Sequence, residues 1–287
     1  MITTGRVSRW SALAVAGALA MAAPTLRGAA DTSRTVYLSA VDLKGEILTD
    51  LKASDLIVKE NGQARDVVDL APAVALLHVA ILVDDGGQGS MQRPVAEILN
   101  GAAGRAAFSI SMLNPQSIVL NDFSVDADVL QRSVGRLVQR GRVERDPRVL
   151  GDAVAWAAKD LLKRRLTRPV IVVLTNGQEE NERDIATAIL ADLRSSGASL
   201  HVVHVVATDL SAVLVDGPTQ SGGSSTVATN TDGFARAMAA VARTLTHQYL
   251  LTYRLPDGAK PGERLEVRST RGGVTVVAPT RVPNRVP

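Results

Sequence analysis

The sequence has no cysteine, and aromatic residues make up only 3% of it. Without thiols there can be no disulfide framework, no zinc–thiolate site and no thiol nucleophile. So few aromatics leave little for base stacking or sugar platforms. No run of Lys and Arg is interleaved with them, so nucleic acid is not an expected partner. No Gly-x-Ser-x-Gly elbow and no Gly-Lys-Ser/Thr phosphate loop occurs, which removes two common routes to enzymatic chemistry. Gly86-Gly87-Gln88-Gly89 stands between a strand and a helix but lacks the G-x-G-x-x-G register of a nucleotide loop.

What is present begins with an export signal over residues 1–30. Arg6 and Arg9 precede the apolar stretch Trp10 to Ala23, and small residues follow, with cleavage expected after Ala30 or near Ala22. The apolar stretch falls short of the ~20 residues of a bilayer span, so a retained anchor is the weaker alternative. Removing 1–30 takes away Arg6, Arg9 and Arg27 and no acid. It leaves 29 basic residues against 29 acidic ones. The basic pI of the whole chain is therefore no argument for a polyanionic partner. The remaining 257 residues can bury a core without staples.

Residues 31–72 read as an N-terminal β segment. Thr35 to Asp42 and Leu56 to Glu60 are strand-like, Asn61-Gly62 is a hairpin turn, and Ala64 to Leu70 is expected to return. Residues 73–255 then alternate strand and helix. The pivotal stretch is Leu76 to Met91, LLHVAILVDDGGQGSM: a buried apolar strand, two carboxylates, a glycine-rich turn and a helix start with Ser90 as the expected cap. Phe108 to Leu113 and Ser117 to Leu120 form a hairpin. Asp126 or Asp128 caps a helix, Val149 to Arg165 is a second one, and Pro169 to Leu174 a second buried strand. Leu210 to Thr231 reads as a loop with little regular structure. The order predicts an α/β, Rossmann-like, doubly wound and mostly parallel sheet with one antiparallel edge strand. Residues 256–287 supply a closing hairpin and tail. Neither end has enough strands alone, so the two are expected to meet in a small β module.

The chain resembles the von Willebrand factor type A family, and more narrowly the exported bacterial "VWFA-related" proteins of acidobacterial type. Three segments carry the resemblance. VYLSAVDLKGEILTDLKASDLIVKENGQ is similar to the family's leader at Asp42, Gly45, Ile47, Leu51, Asp55, Leu56, Val58, Glu60, Asn61 and Gly62. VAILVDD and VIVVLTNGQE look like its first and fourth strands, and LTHQYLLTYRLP with RLEVRSTRGGVTVVA like its closing strands. The family commonly holds Mg²⁺ in a metal-ion-dependent adhesion site built from Asp-x-Ser-x-Ser, a Thr and an Asp. Here Asp84 takes the first carboxylate position, but Gly86 and Gln88 stand where the serines belong. Residues 145–150 contain no Thr, and Asn176 replaces the second Asp. The resemblance thus implies a degenerate site, expected to be metal-free at ordinary Mg²⁺ concentrations. Asp85 and Asp146 are the residues a rearranged, weak Mg²⁺ site would use. Arg145 or Arg148 is a candidate to place a guanidinium near Asp84 in the cation's stead, against the blander expectation of solvated loop residues.

Other constellations are structural in expectation. Asp84 and Asp85 are adjacent at a strand end and should point to opposite sides. His201 and His204 fall on opposite faces of one strand, and His78 and His247 likewise lack clustered acids. Trp156, within a helix, is expected in the core. The function expected is non-enzymatic recognition of a protein partner by an exported protein of adhesion or scaffold type. It would act through loops 84–91, 121–126, 141–149, 175–182 and 207–231. The candidate partner-binding residues are Asp84, Asp85, Gln88, Arg145, Arg148, Asn176 and Gln178, with no cofactor, no nucleic acid and no membrane span after signal cleavage. The runner-up is a structural or assembly component of the cell envelope that docks through the β module.

Overall fold

The computed structural model describes residues 33–113, 115–141, 143, 146, 148–177, 183–205, 211–256, 258–260 and 262–284. The expected signal segment 1–30 and the candidate residues Arg145 and Gln178 lie outside the described residues.

The chain opens with strand β1 (Ser33–Val41), followed by β2 (Leu56–Glu60), β3 (Gln63–Arg65) and β4 (Val67–Pro72). The turn between β2 and β3 is Asn61-Gly62, with φ of 49° and 78°, and Glu60 pairs directly with Gln63. Two consecutive positive-φ residues are what a two-residue hairpin with right-handed strand twist requires. The return expected over Ala64 to Leu70 divides in two. β3 pairs with β2, and β4 leaves for another sheet.

The alternating part runs β5 (Leu77–Asp84), α1 (Gln92–Gly101), β6 (Ala106–Met112), β7 (Ile118–Ser124), α2 (Ala127–Gly135), α3 (Val149–Lys163), β8 (Pro169–Thr175), α4 (Arg183–Ser196), β9 (Ser199–His204), α5 (Ala212–Ser221), β10 (Ser225–Val227) and α6 (Thr231–Thr246). It forms a six-stranded sheet in the order β10-β9-β8-β5-β6-β7. All pairs are parallel except β6 with β7, the expected antiparallel edge. Both faces are covered, which is why the central strands are continuous apolar runs. On β5, Leu77, Val79, Ile81 and Val83 pack towards α1 and α6, while Ala80 and Leu82 pack towards α3 and α4. Helix α2 starts at its expected cap: the Asp126 carboxylate accepts from the backbone N–H groups of Asp128 and Val129.

Three expectations are corrected here. Residues 212–221 are helical and 225–227 form a strand, so 210–231 is not one irregular loop. Tertiary packing wins over a Ser/Thr/Gly-rich composition: Val213, Leu214, Gly217 and Pro218 are buried, and Gly217 lies so close to Leu200 that a Cβ would meet its side chain at 2.7 Å. Ser90 is not the cap of α1. Met91 holds that position, with no side-chain bond. Trp156 is 54% exposed rather than buried. The inward stripe of α3 is Leu150, Val154, Ala157, Ala158 and Leu161, and 156 falls on the other side of the helix.

The last strands are β11 (Tyr249–Arg254), β12 (Leu265–Ser269) and β13 (Thr275–Val277). N- and C-terminal segments meet in two antiparallel sheets, β13-β1-β11-β4 and β12-β2-β3. β11, assigned from sequence to the 73–255 segment, hydrogen-bonds within the first of these. Their shared core contains Val36, Leu38, Leu56, Val58, Leu251, Tyr253 and Leu265. It also contains Glu60, fully buried, which accepts from Arg65 Nε at 3.2 Å and from the Gly262 N–H at 3.0 Å. Burial and then the nearby Glu60 charge push the Tyr253 hydroxyl pKa up to about 12.

Arg168 ties this module to the base of the six-stranded sheet. Its Nη1 donates to the carbonyls of Ala73 and Ala75, both at 2.9 Å. Its Nη2 donates to Leu245 O at 2.7 Å and Gln248 Oε1 at 3.1 Å. The guanidinium also lies over the Tyr37 ring. Among the described residues no helix is long and apolar enough to cross a membrane.

Candidate functional site

Parallel strands deliver their loops to one edge of the sheet, and ligands of such folds bind there. At this edge β5 ends in Asp84 and β8 in Thr175, paired in register. The two side chains meet: Thr175 Oγ1 donates to Asp84 Oδ2 at 2.8 Å. Asp84 is 3% exposed, and its carbonyl accepts from the Asn176 N–H.

Asp85 turns into the following loop and organises it. Its Oδ1 accepts from the Gly87 N–H at 2.9 Å and its Oδ2 from the Gly89 N–H at 2.7 Å. Both glycines are required. Their φ values are 81° and 70°, and a Cβ would meet Gly141 O at 2.3 Å from Gly87 and Gln139 N at 2.4 Å from Gly89. The wall they press against is the segment after α2. Arg140 N donates to Gly87 O at 2.8 Å, and Arg140 Nη2 stands 3.7 Å from Asp85 Oδ1. Arg140 is therefore a guanidinium beside a first-loop carboxylate, and the acid it faces is Asp85. Sequence reasoning missed it. It follows α2 by a few residues in a segment with no motif spacing, and its contact is entirely tertiary.

The expected site residues are brought together only in part. Gln88 and Asn176 bond to each other, Asn176 Nδ2 donating to Gln88 Oε1 at 3.2 Å and also to Asp85 O at 3.1 Å. These are two of the positions at which the sequence resemblance implied a lost hydroxyl and a lost carboxylate. Arg148 ion-pairs with Asp146, its Nε 3.4 Å from Oδ1, both exposed. The Arg148 N–H bond to Asp146, with that guanidinium beside it, holds the Asp146 carboxyl below its usual range. Of the expected loops, 121–126 is misplaced. It lies within and after β7, which runs antiparallel away from this edge. In the last region α5 and β10 occupy most of 207–231, and residues 228–230 return to the edge beside His204.

Against the six oxygen ligands that Mg²⁺ takes in octahedral array, these residues fit poorly. The Asp84 and Asp85 oxygens accept from donors of the chain itself, Asn176 presents an amide N–H₂, and a guanidinium stands at Asp85. Among the described residues no group of three or more His, Cys, Asp or Glu is placed to hold a metal ion. The histidines are elsewhere. His201, fully buried, has Nδ1 3.0 Å from Ser224 Oγ, and burial lowers its pKa to about 4. His204 Nε2 lies 3.2 Å from Ser225 Oγ, and His78 and His247 have backbone carbonyls as partners.

Sheet order, helix layers and antiparallel edge define a doubly wound, mostly parallel α/β fold. Several solved structures are similar to this chain. The VWA domain of SpRpn10 is 16% identical with a TM-score of 0.44, covering 57% of this chain and 94% of that one. A von Willebrand factor type A protein from Catenulispora acidiphila is 11% identical with a TM-score of 0.46, covering 87% and 74%. An aerotolerance-related membrane protein from Bacteroides fragilis is 14% identical with a TM-score of 0.43, covering 59% and 98%. No protein-family model matches the chain, and no curated protein matches it.

Proposed function

We propose that this is an exported, non-enzymatic protein of adhesion or scaffold type that captures a protein partner at the carboxyl edge of its six-stranded sheet, with no metal ion between them. The observation that carries the proposal is the amide pair Gln88–Asn176 above the Asp85 loop. Side-chain oxygens that a cation would need accept hydrogen bonds from the chain itself instead. The result is a pre-formed polar loop with Gln88 exposed on it. Pre-organised surfaces lose less freedom on binding, which favours recognition of a folded partner. The non-enzymatic reading is supported by the same tying-down of both carboxylates, together with the missing nucleophile motifs.

The test is capture of partners from envelope extract by the mature protein, comparing wild type with Gln88→Arg and Asn176→Arg. The proposal expects a partner held equally with and without EDTA and lost from both variants. Capture abolished by EDTA would contradict it. Capture untouched by these variants but lost on changes around Asn61-Gly62 would transfer the function to the β module, as an assembly component of the envelope.

A further inference from the structure

A groove of about 910 Å³ is lined by β12, by Lys59 and Asn61 of the β2 end, and by Thr280 and Arg281. Strand alternation sets its character. Leu265 points into the module core, so Arg264, Glu266 and Arg268 share the outer side, and the register places Glu266 opposite Lys59. A bridge between Arg264 and Arg281 brings a fourth cation alongside. Four cations thus line the groove, and Glu266 is the one carboxylate among its lining residues.

That carboxylate is already engaged, Glu266 Oε1 lying 2.6 Å from Arg268 Nε. Arg281 is 3.7 Å from the largely exposed Glu263. Among the described residues neither Lys59 nor Arg264 has a side-chain ion pair. The chain beyond residue 30 is charge-balanced overall, so this concentration is local and self-repelling, and an anion relieves it.

The lining selects among anions. No aromatic side chain borders the groove, so bases have nothing to stack on. Its one large aliphatic residue, Leu265, is buried, so no apolar anchor enters a bilayer. β12 ends its three-stranded sheet; its outer edge is bonded to residues 280–282 at Glu263 and Leu265, so main-chain bonds to an extended peptide are left to the stretch beyond them. We propose that the groove binds an extended acidic segment of a partner protein, its alternate carboxylates facing Arg264, Lys59 and Arg268. This surface stands apart from the sheet edge that carries Asp85 and Asn176.

Fluorescence anisotropy of the mature protein with a labelled oligoglutamate tests it. About eight residues amply span the ~13 Å from Arg264 to Arg268 at ~3.3 Å per residue. Expected is saturable binding that weakens about tenfold or more between about 50 and about 500 mM NaCl. The double variant Lys59→Glu/Arg264→Glu, both surface positions, should weaken it at least about tenfold with an unchanged melting temperature. Arg236→Glu on α6 and Gln88→Ala at the sheet edge should leave it unaltered, which separates this surface from the partner site proposed above. Absence of saturable binding, or equal affinity in the double variant, would overturn the proposal. Tighter binding of oligothymidylate or of phosphatidylglycerol vesicles than of oligoglutamate, through the same two residues, would also overturn it.

Discussion

Replacing Asp85 by Ala separates a loop organised by the protein from a loop organised by a cation. The substitution deletes two charge-assisted hydrogen bonds, from Gly87 N–H at 2.9 Å and Gly89 N–H at 2.7 Å. Bonds to a charged group contribute about 1.5–3 kcal/mol each. Gly87 is buried, so its N–H is left without water, whereas Gly89 is half-buried and recovers some. The contact to Arg140 is longer, at 3.7 Å, and is left out of the sum. A net destabilisation of about 3 kcal/mol follows, with Asp85→Asn intermediate because one acceptor remains. For a domain near this size, that lowers the melting temperature by about 6–10 °C. Circular-dichroism melts and urea titrations measure it. The decisive feature is that the loss is the same in Mg²⁺ and in EDTA. A loss below about 1 kcal/mol, or one seen only when Mg²⁺ is present, would refute the assignment of Asp85 to the loop.

Two further outcomes follow from buried polar groups, Arg168 and His201. Arg168→Met leaves the carbonyls of Ala73, Ala75 and Leu245 without their donor. It should cost about 3 kcal/mol in urea titrations, with faster proteolysis in the 73–76 linker, where Val74 is 92% exposed. Arg168→Lys, with fewer donors and no planar fork, should fall between the variant and wild type. His201 has a folded pKa of about 4 against 6.5 when exposed, because burial disfavours the charged ring. The unfolded chain therefore takes up this proton first. Its contribution is complete above pH 6.5 and declines as pH falls towards 4, by on the order of 3 kcal/mol. Melts across this range should show that decline in the wild type and a flatter profile in His201→Asn.

The α/β order was legible because a strand buried on both faces has to be a continuous apolar run. Leu77–Asp84 and Pro169–Thr175 are such runs. Asn61-Gly62 was legible because few residues accept its backbone angles. Helix α5 was not, since its stability comes from packing under Leu200 rather than from propensity or a strong amphipathic stripe. The exposure of Trp156 was available from helical spacing alone, two positions on from buried Val154. At the site, Asp84, Gln88 and Asn176 could be placed by their positions after strands. Arg140 could not, because only the fold brings the segment after α2 against Gly87 and Gly89. The mutual bond of Gln88 and Asn176 was also out of reach, although each position could be named as a departure from a metal site.

The claim that the sheet edge works without a cation is tested most directly by thermal melts of the protein in Mg²⁺, in Mn²⁺ and in EDTA. A site filled at about 100 times its Kd stabilises the fold by about 2.7 kcal/mol, several degrees in a domain of this size. The account predicts melting temperatures within about 1 °C of one another in all three solutions. A rise of about 3 °C or more with either cation, reversed by EDTA, would contradict it.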